Sequence, residues 1–340
     1  MIYSFIGDTH INCSKIVLGT DYFGKLIPEE DAYKLMDFYC LNGGNMLDTA
    51  HVYSDYIPGE KHMSEKVIGR WLRKTGARSN TGNKLYISTK GGFPELDDFH
   101  KSRLSYENVR DDLYSSLDLL GLDSIDMYWL HRDNEQIPVS EIADWMHTFY
   151  SDGLIKNYGV SNWTCDRINK ANKYAKEKGY AQIKASQIRW SLAVVTKSED
   201  KDDTLVAMTC NEYCKYKENQ IPVFAFSSQA KGFFSKIQVD EDGKYIMPEG
   251  KAGIRYSNED NLNTFSKLRR IQNQYPDCTI AQLALLPIIG ADINGYAIVG
   301  CKNADHLSES MKAADIINKI DMEYINGELN IYETGSCYSK

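Results

Sequence analysis

The chain has 340 residues, 42% of them hydrophobic and 25% charged, with a net charge of −8. That is ordinary globular composition, long enough for two domains yet also a routine size for one α/β barrel. The acidic balance argues against general nucleic-acid binding, and no stretch approaches the ~18 consecutive apolar residues of a membrane span.

The opening Met1-Ile-Tyr-Ser-Phe-Ile-Gly-Asp8 lacks the basic start and the apolar length of a secretory leader, so the expectation is a cytoplasmic protein. Tyr3 to Asn12 alternates around Gly7-Asp8, which predicts a β-hairpin. Ile16–Thr20 is strand 1. Glu29–Leu41 has helical periodicity (Ala32, Leu35, Met36, Tyr39) and runs into Asn42-Gly43-Gly44, a stop signal. Asn45–Ala50 is strand 2, Ser64–Lys74 a helix, and Leu85–Lys90 strand 3. Ser105 opens a helix with the stripe Val109, Leu113, Leu117 and Leu120, closed by Gly121.

Ile125–His131 is strand 4, Val139–Tyr150 a helix and Asn157–Asn162 strand 5. Cys165–Lys178 is a helix closed by Gly179, and Gln182–Ile188 is strand 6. Thr204–Glu218 reads as a helix and Ile221–Ser227 as strand 7. Gly232–Asn258 has no period and reads as a long loop. Helices over Asn261–Gln274 and Thr279–Leu286, strand 8 at Gly295–Gly300 and a helix over Asp305–Ile317 complete the chain. Eight strand–helix units predict one (β/α)8 barrel domain over residues 1–340, a TIM barrel with an N-terminal hairpin and long loops on its C-terminal face. The rival, a doubly wound open sheet, usually carries GxGxxG after its first strand, and the chain has none. The eight cysteines are scattered without CxxC and read as reduced thiols, leaving no ligand set for a metal.

In such barrels the C-terminal strand ends build the active site. Strand 1 ends in Gly19-Thr20-Asp21-Tyr22. Strand 2 ends at Asp48, with Tyr53 in the loop beyond, strand 3 at Lys90 and strand 4 at His131. An acid, a phenol, an ammonium and an imidazole at one mouth form a proton-transfer set. A lysine ammonium about 4 Å from a phenol contributes about 4 kcal/mol at an effective dielectric of ~20, enough to draw Tyr53 towards neutrality before desolvation raises it again. Asp48 would keep Lys90 charged and fixed, and His131 would donate to a carbonyl oxygen, so the set suits protonation of an oxyanion.

Strands 5 and 6 offer Ser161, Asn162 and Gln187, hydroxyl and amide groups able to hold a carboxamide. Strand 7 offers Phe226, a flat face for stacking, and Ser227; strand 8 ends at Gly300. An amide-bearing ring held this way describes nicotinamide, and hence a hydride donor.

Taken together, Leu18–Gly24, Gly43–Tyr53 (with its D-T-A-x-x-Y segment), Ile87-Ser-Thr-Lys-Gly91, Asp126–His131, Gly159-Val-Ser-Asn162, Ser186-Gln187 and Val223–Ser228 resemble the aldo-keto reductase family over nearly the full length. The resemblance implies a cytosolic barrel that reduces aldehydes or ketones with NAD(P)H, or runs the reverse. Tyr53 would donate the proton, Asp48 and Lys90 would tune it, and His131 would orient the carbonyl. Gly19, Thr20, Ser161, Asn162, Gln187, Phe226 and Gly300 would line the cofactor site, and Ser227 would reach the pyrophosphate.

After strand 8 the pattern departs from the family, with His306 where an arginine is common and Ser310 where an asparagine is. Glu309 would meet the adenine amino group, and Lys302, Asn303 and His306 a 2′-phosphate, which favours NADPH over NADH.

Each residue also has a plainer reading. His131 alone suits a core histidine, Lys90 a strand-end charge, Asp48 a turn cap, and Ser161-Asn162 a turn. Arg132-Asp133-Asn134-Glu135 reads as a solvated loop, and Trp163 as packing or a substrate contact. The loops after strands 1, 3, 4 and 7, with the C-terminal tail, would wall the mouth. Their polarity (Asp21, Asp97, Asp98, Arg132, Asp133, Asn134) points to a polar or sugar-like small-molecule carbonyl or alcohol. The competing class is a cofactor-binding regulatory subunit of the same fold with little turnover.

Overall fold

A computed structural model of the chain describes residues 1–78 and 84–329. Eight parallel strands close into a barrel: β1 (Ile16–Gly19), β2 (Met46–Asp48), β3 (Tyr86–Gly91), β4 (Met127–Leu130), β5 (Tyr158–Ser161), β6 (Ser186–Arg189), β7 (Val223–Phe226) and β8 (Gly295–Val299). Each pairs with its sequence neighbour, and β8 closes on β1 with Ala297 opposite Ile16. Helices α1 (Glu29–Leu41), α2 (Met63–Thr75), α3 (Tyr106–Leu120), α4 (Val139–Ser151), α5 (Cys165–Lys178) and α6 (Cys210–Asn219) follow the first six strands. The predicted (β/α)8 architecture is the architecture found.

Local chemistry sets the helix ends. Ser105 Oγ accepts from Asn108 N to cap α3, Thr164 does the same for Arg167 N at α5, and Gly121 and Gly179 end these helices in the left-handed conformation.

The core divides by strand alternation. Ile16, Leu18, Leu47, Ile87, Tyr128, Leu130, Val160 and Ala297 face the helices, while Val17, Met46, Tyr86, Met127, Trp129, Phe224, Tyr296 and Ile298 fill the barrel. Side chains repeat every second residue on one face of a strand. Asp48 lies two residues past Met46, Lys90 four past Tyr86 and His131 two past Trp129, so all three continue the inward rows into the mouth. At the opposite end the hairpin Tyr3–Phe5/Asn12–Ser14 closes the floor, with Ile6, Ile11 and Cys13 in the interior cluster.

Four expectations change. Thr204–Met208 is not helical: Ala207 bridges to Arg189 beside β6, and α6 begins only after its cap Thr209. Gly232–Asn258 holds a helix over Phe233–Lys236, a hairpin pairing Gln238–Val239 with Tyr245–Ile246, and a helix over Gly250–Tyr256, elements too short to register a period. Thr279–Leu286 is two short helices, Ile280–Leu283 and Leu286–Ile289, because Pro287 lacks an N–H and must sit in a first turn. Six cysteines (Cys13, Cys40, Cys165, Cys214, Cys278 and Cys301) are free, but Cys210 is disulfide-bonded, since spacing along the chain does not say which thiols meet.

The C-terminal tail expected at the mouth, Cys337 included, lies outside the described residues. Among the described residues no helix is long and apolar enough to cross a membrane.

Candidate active site

Lys90 is the centre of the mouth. Its buried Nζ donates to Asp48 Oδ2 at 2.6 Å, to Thr49 O at 2.7 Å and to Tyr53 Oη at 3.0 Å. Those three bonds use all the donors of an ammonium. Asp48, fully buried, accepts at its other oxygen from Ser88 Oγ at 2.8 Å and Gln187 Nε2 at 3.1 Å. Burial lowers the Lys90 pKa, and the charge and hydrogen bond of Asp48 oppose that fall.

The Tyr53 phenol does not move in the direction expected from Lys90. Loss of hydration raises it well above 10, and Asp48 and Asp21 add to the rise, with Arg132 opposing. The physical reason is that the nearby Lys90 charge is largely met by Asp48. Tyr53 therefore rests as the protonated acid.

His131 sits 6.0 Å from Tyr53, ring centre to ring centre, edge to face. Burial first, then Lys90 and Arg132, hold its pKa well below the usual 6.5. Its buried Nδ1 has no hydrogen-bond partner among the described residues. A charged ring would leave an N–H there unpaired, so the geometry favours the neutral ring with its proton on Nε2.

The loop carrying Tyr53 is tied to its surroundings through two stacked imidazoles, His51 and His62, with centroids 3.8 Å apart. His51 Nδ1 lies 3.1 Å from Glu65 Oε2 on α2, and His62 Nδ1 lies 2.7 Å from His51 O. A cavity of about 470 Å³ opens beside Lys90 and Phe93 against this pair.

At the ends of β5 and β6, Ser161 Oγ donates to Gln187 O at 2.8 Å, and Asn162 Nδ2 donates to Ser161 Oγ at 3.0 Å. Asn162 holds a positive φ of 60° and accepts at Oδ1 from Val206 N at 3.2 Å. Gln187, expected only among the carboxamide holders, is also bound to Asp48. Phe226 is half-buried on the interior cluster and Ser227 is exposed.

Three of the residues expected at the cofactor also have roles within the fold. Thr20 is fully buried, its Oγ1 donating to Asp48 O at 3.0 Å and lying 2.8 Å from Ser64 Oγ, so its hydroxyl serves the fold. Gly19 has no room for a side chain, since a Cβ would come within 2.9 Å of Ile298 Cγ2. Asn303 Oδ1 accepts from His306 N and caps the helix Ala304–Ile316, which occupies that oxygen. Gly300, Lys302 and His306 are exposed, and Glu309 is half-buried.

Arg132 corrects the reading of its segment as solvated. It is 7% exposed, with Nη2 on Asp202 Oδ2 and Nε on Thr204 Oγ1, each at 3.1 Å. Asp133 pairs with Arg167 at 2.6 Å. Trp163 is fully buried, which settles it as packing rather than an open substrate surface. Phe93, 4.7 Å from His131, escaped notice in the sequence; its place three residues past Lys90 was the available signal.

A sequence model described as the aldo/keto reductase family matches residues 15–327. The chain is 24% identical over 305 residues to aldo-keto reductase str7 of Strobilurus tenacellus, covering 87% of this chain and 80% of that one. It is 22% identical over 313 residues to the NADP(+) aryl-alcohol dehydrogenase of Phanerodontia chrysosporium, covering 88% and 76%. Over 263 residues it is 25% identical to the NADP(+) aldo-keto reductase yakc of Schizosaccharomyces pombe, covering 74% and 70%.

Proposed function

The chain belongs to the aldo/keto reductase family and is an oxidoreductase, and from that premise we propose that it interconverts a small-molecule carbonyl and its alcohol with NADP as the hydride partner and Tyr53 as the proton donor. The observation that carries the reading is the ammonium of Lys90 bonded to Asp48 and Tyr53 at once.

The residues present fit a nicotinamide. Asn162 and Gln187 combine donors and acceptors near a half-buried aromatic face, Phe226, and Ser227, Ala230 and Lys231 hold positive φ of 54°, 48° and 58°. Strain of that kind in non-glycine residues is retained where the surroundings demand it, commonly at ligand sites. When bound, the nicotinamide supplies or accepts hydride.

The protein's part is proton management. Tyr53, protonated at neutral pH, gives its proton to the oxygen that gains charge on the carbonyl. Lys90 then faces a phenolate and stabilises it. His131 donates from Nε2 to the carbonyl oxygen and fixes its position, and Asp48 keeps the ammonium in place.

Of the six loop residues that pointed to a polar or sugar-like substrate, Arg132 and Asp133 spend their charges on Asp202 and Arg167. Tyr22, Tyr56, Phe93 and Phe99 form ring-to-ring contacts around the mouth. A ring-bearing carbonyl matches these walls better. NADP over NAD rests on exposed Lys302 and His306 at the start of the Ala304–Ile316 helix.

The test is NADPH oxidation with a panel of aliphatic, sugar and aryl aldehydes. Tyr53→Phe should lose about 10²–10⁴-fold in kcat while still binding NADPH. Turnover equal to wild type in Tyr53→Phe refutes the assigned proton donor. No turnover on any carbonyl, with NADPH bound, favours the regulatory subunit instead.

A further inference from the structure

We propose that Arg132 is a positioning residue for His131, clamped by Asp202 and Thr204 of the long loop that follows β6. The inference rests on the reading of Tyr53 and His131 given above and adds to it a residue and a loop.

Arg132 stands one residue past His131, yet its side chain does not turn to solvent. The guanidinium lies 5.0 Å over the ring of Phe93, and Phe93 lies 4.7 Å from His131. Phe93 is thus held between a cation and an imidazole, an arrangement favoured by the ring's quadrupole. The stack fixes where the imidazole sits. Arg132 Nη1 also donates to His131 O at 3.4 Å, and Trp163 Nε1 to Arg132 O at 3.4 Å, which tie both backbones in place.

The clamp is built before it reaches Arg132. Asp202 Oδ1 accepts from the backbone N and the hydroxyl of Thr204, leaving Oδ2 aimed at the guanidinium. The loop is anchored by a two-pronged pair between Arg189 and Asp200, at 2.6 and 2.9 Å, and by Met208 N on Arg189 O at 2.9 Å. Val206 N of the same loop bonds Asn162 Oδ1. One segment therefore braces the proton side of the mouth through Arg132 and the carboxamide side through Asn162.

The second consequence is electrostatic. Lys90 and Arg132 are the cations acting on His131, with Tyr53 its ring neighbour; each cation is itself paired with an acid, Lys90 with Asp48 and Arg132 with Asp202. With Nδ1 unpaired and two cations near, the ring stays neutral and keeps its proton on Nε2. Arg132 supplies part of that restraint.

The experiment follows the titration of His131 by NMR of the full-length enzyme labelled at histidine ring carbons, alongside kcat and KM as functions of pH. In Arg132→Met the His131 midpoint should rise by on the order of one pH unit. The acid limb of kcat should move up by the same interval, so the loss is largest on that limb and vanishes once pH lies well above the shifted midpoint. The affinity for NADPH should hold. Arg132→Lys keeps the charge but not the flat stack, so His131 should stay hard to protonate while KM for the carbonyl rises several-fold. Were Arg132→Met to misfold on melting analysis, Arg132→Lys decides alone, and unchanged kcat and KM there overturn the proposal. An unmoved His131 titration with a pH profile parallel to wild type also overturns it. Tyr53→Phe separates the failures: full activity in that variant sinks the reading of the site, while the His131 titration still reports on Arg132.

Discussion

Gln187 Nε2 donates to Asp48 Oδ1 at 3.1 Å, across the barrel from β6 to β2. The bond joins the two halves of the mouth: Asp48 belongs with the proposed proton-transfer residues, and Gln187 with the amides at the ends of β5 and β6. Whatever shifts one half is felt by the other through a single carboxylate.

That link predicts a split in mutant behaviour. Gln187→Ala leaves Asp48 Oδ1 to Ser88 alone, so it should weaken NADPH binding and also lower kcat, at a stability cost of about 1–3 kcal/mol for the unmet acceptor. Gln187→Glu places a second acid beside Asp48 and should be the worse variant for folding, at neutral pH above all. Thermal unfolding with NADPH titration by fluorescence orders the two; a Gln187→Glu protein as stable as Gln187→Ala contradicts the coupling.

Cofactor choice should depend on Lys302 more than on Asn303. Lys302→Ala is expected to raise KM for NADPH about fivefold and leave NADH unaffected, since an exposed charge contributes about 1 kcal/mol at most. Asn303→Ala removes a helix cap instead and should cost about 1 kcal/mol of stability with a smaller effect on cofactor ratio. A preference for NADH that Lys302→Ala does not change would sink the 2′-phosphate assignment.

Lys15 under the barrel floor should give stability an alkaline rise. Its Nζ donates to Asn294 Oδ1 at 2.5 Å and Gly295 O at 3.0 Å and lies 4.5 Å over Tyr296. Burial pushes its pKa from 10.5 down to about 8. The unfolded chain binds the extra proton between those two values, so unfolding free energy from this group increases with pH across that window. Below about 8 both states are charged, and the folded state carries the whole cost, about 3 kcal/mol. Urea denaturation from pH 7 to 10 should show the rise in wild type and a flatter profile in Lys15→Met; parallel profiles for the two proteins would refute it.

Part of the site was readable in the sequence because its signal is local. Three apolar runs end on Asp48, Lys90 and His131, and inward residues recur every second position, so their meeting followed once the strands were counted. Arg132 was not readable. It sits in a polar run, and what buries it is Asp202, 70 residues away. The structural role of Thr20 was hidden for the same reason, since its partner Ser64 lies 44 residues on in α2. The short elements between Phe233 and Tyr256 left too few residues for any period to emerge.

The sequence by itself determined the alternation of strand and helix, the inward register and the residue types at each strand end, because periodicity and capping are written within a dozen neighbouring positions. Only the tertiary structure decided which of these groups carry charge. The direction of the Tyr53 shift, the neutrality of His131 and the double duty of Gln187 depend on desolvation and on charges brought from distant segments. Asp48 shows the divide: its place was set by strand β2, but its function depends on Lys90 and Gln187, which only barrel closure brings to it.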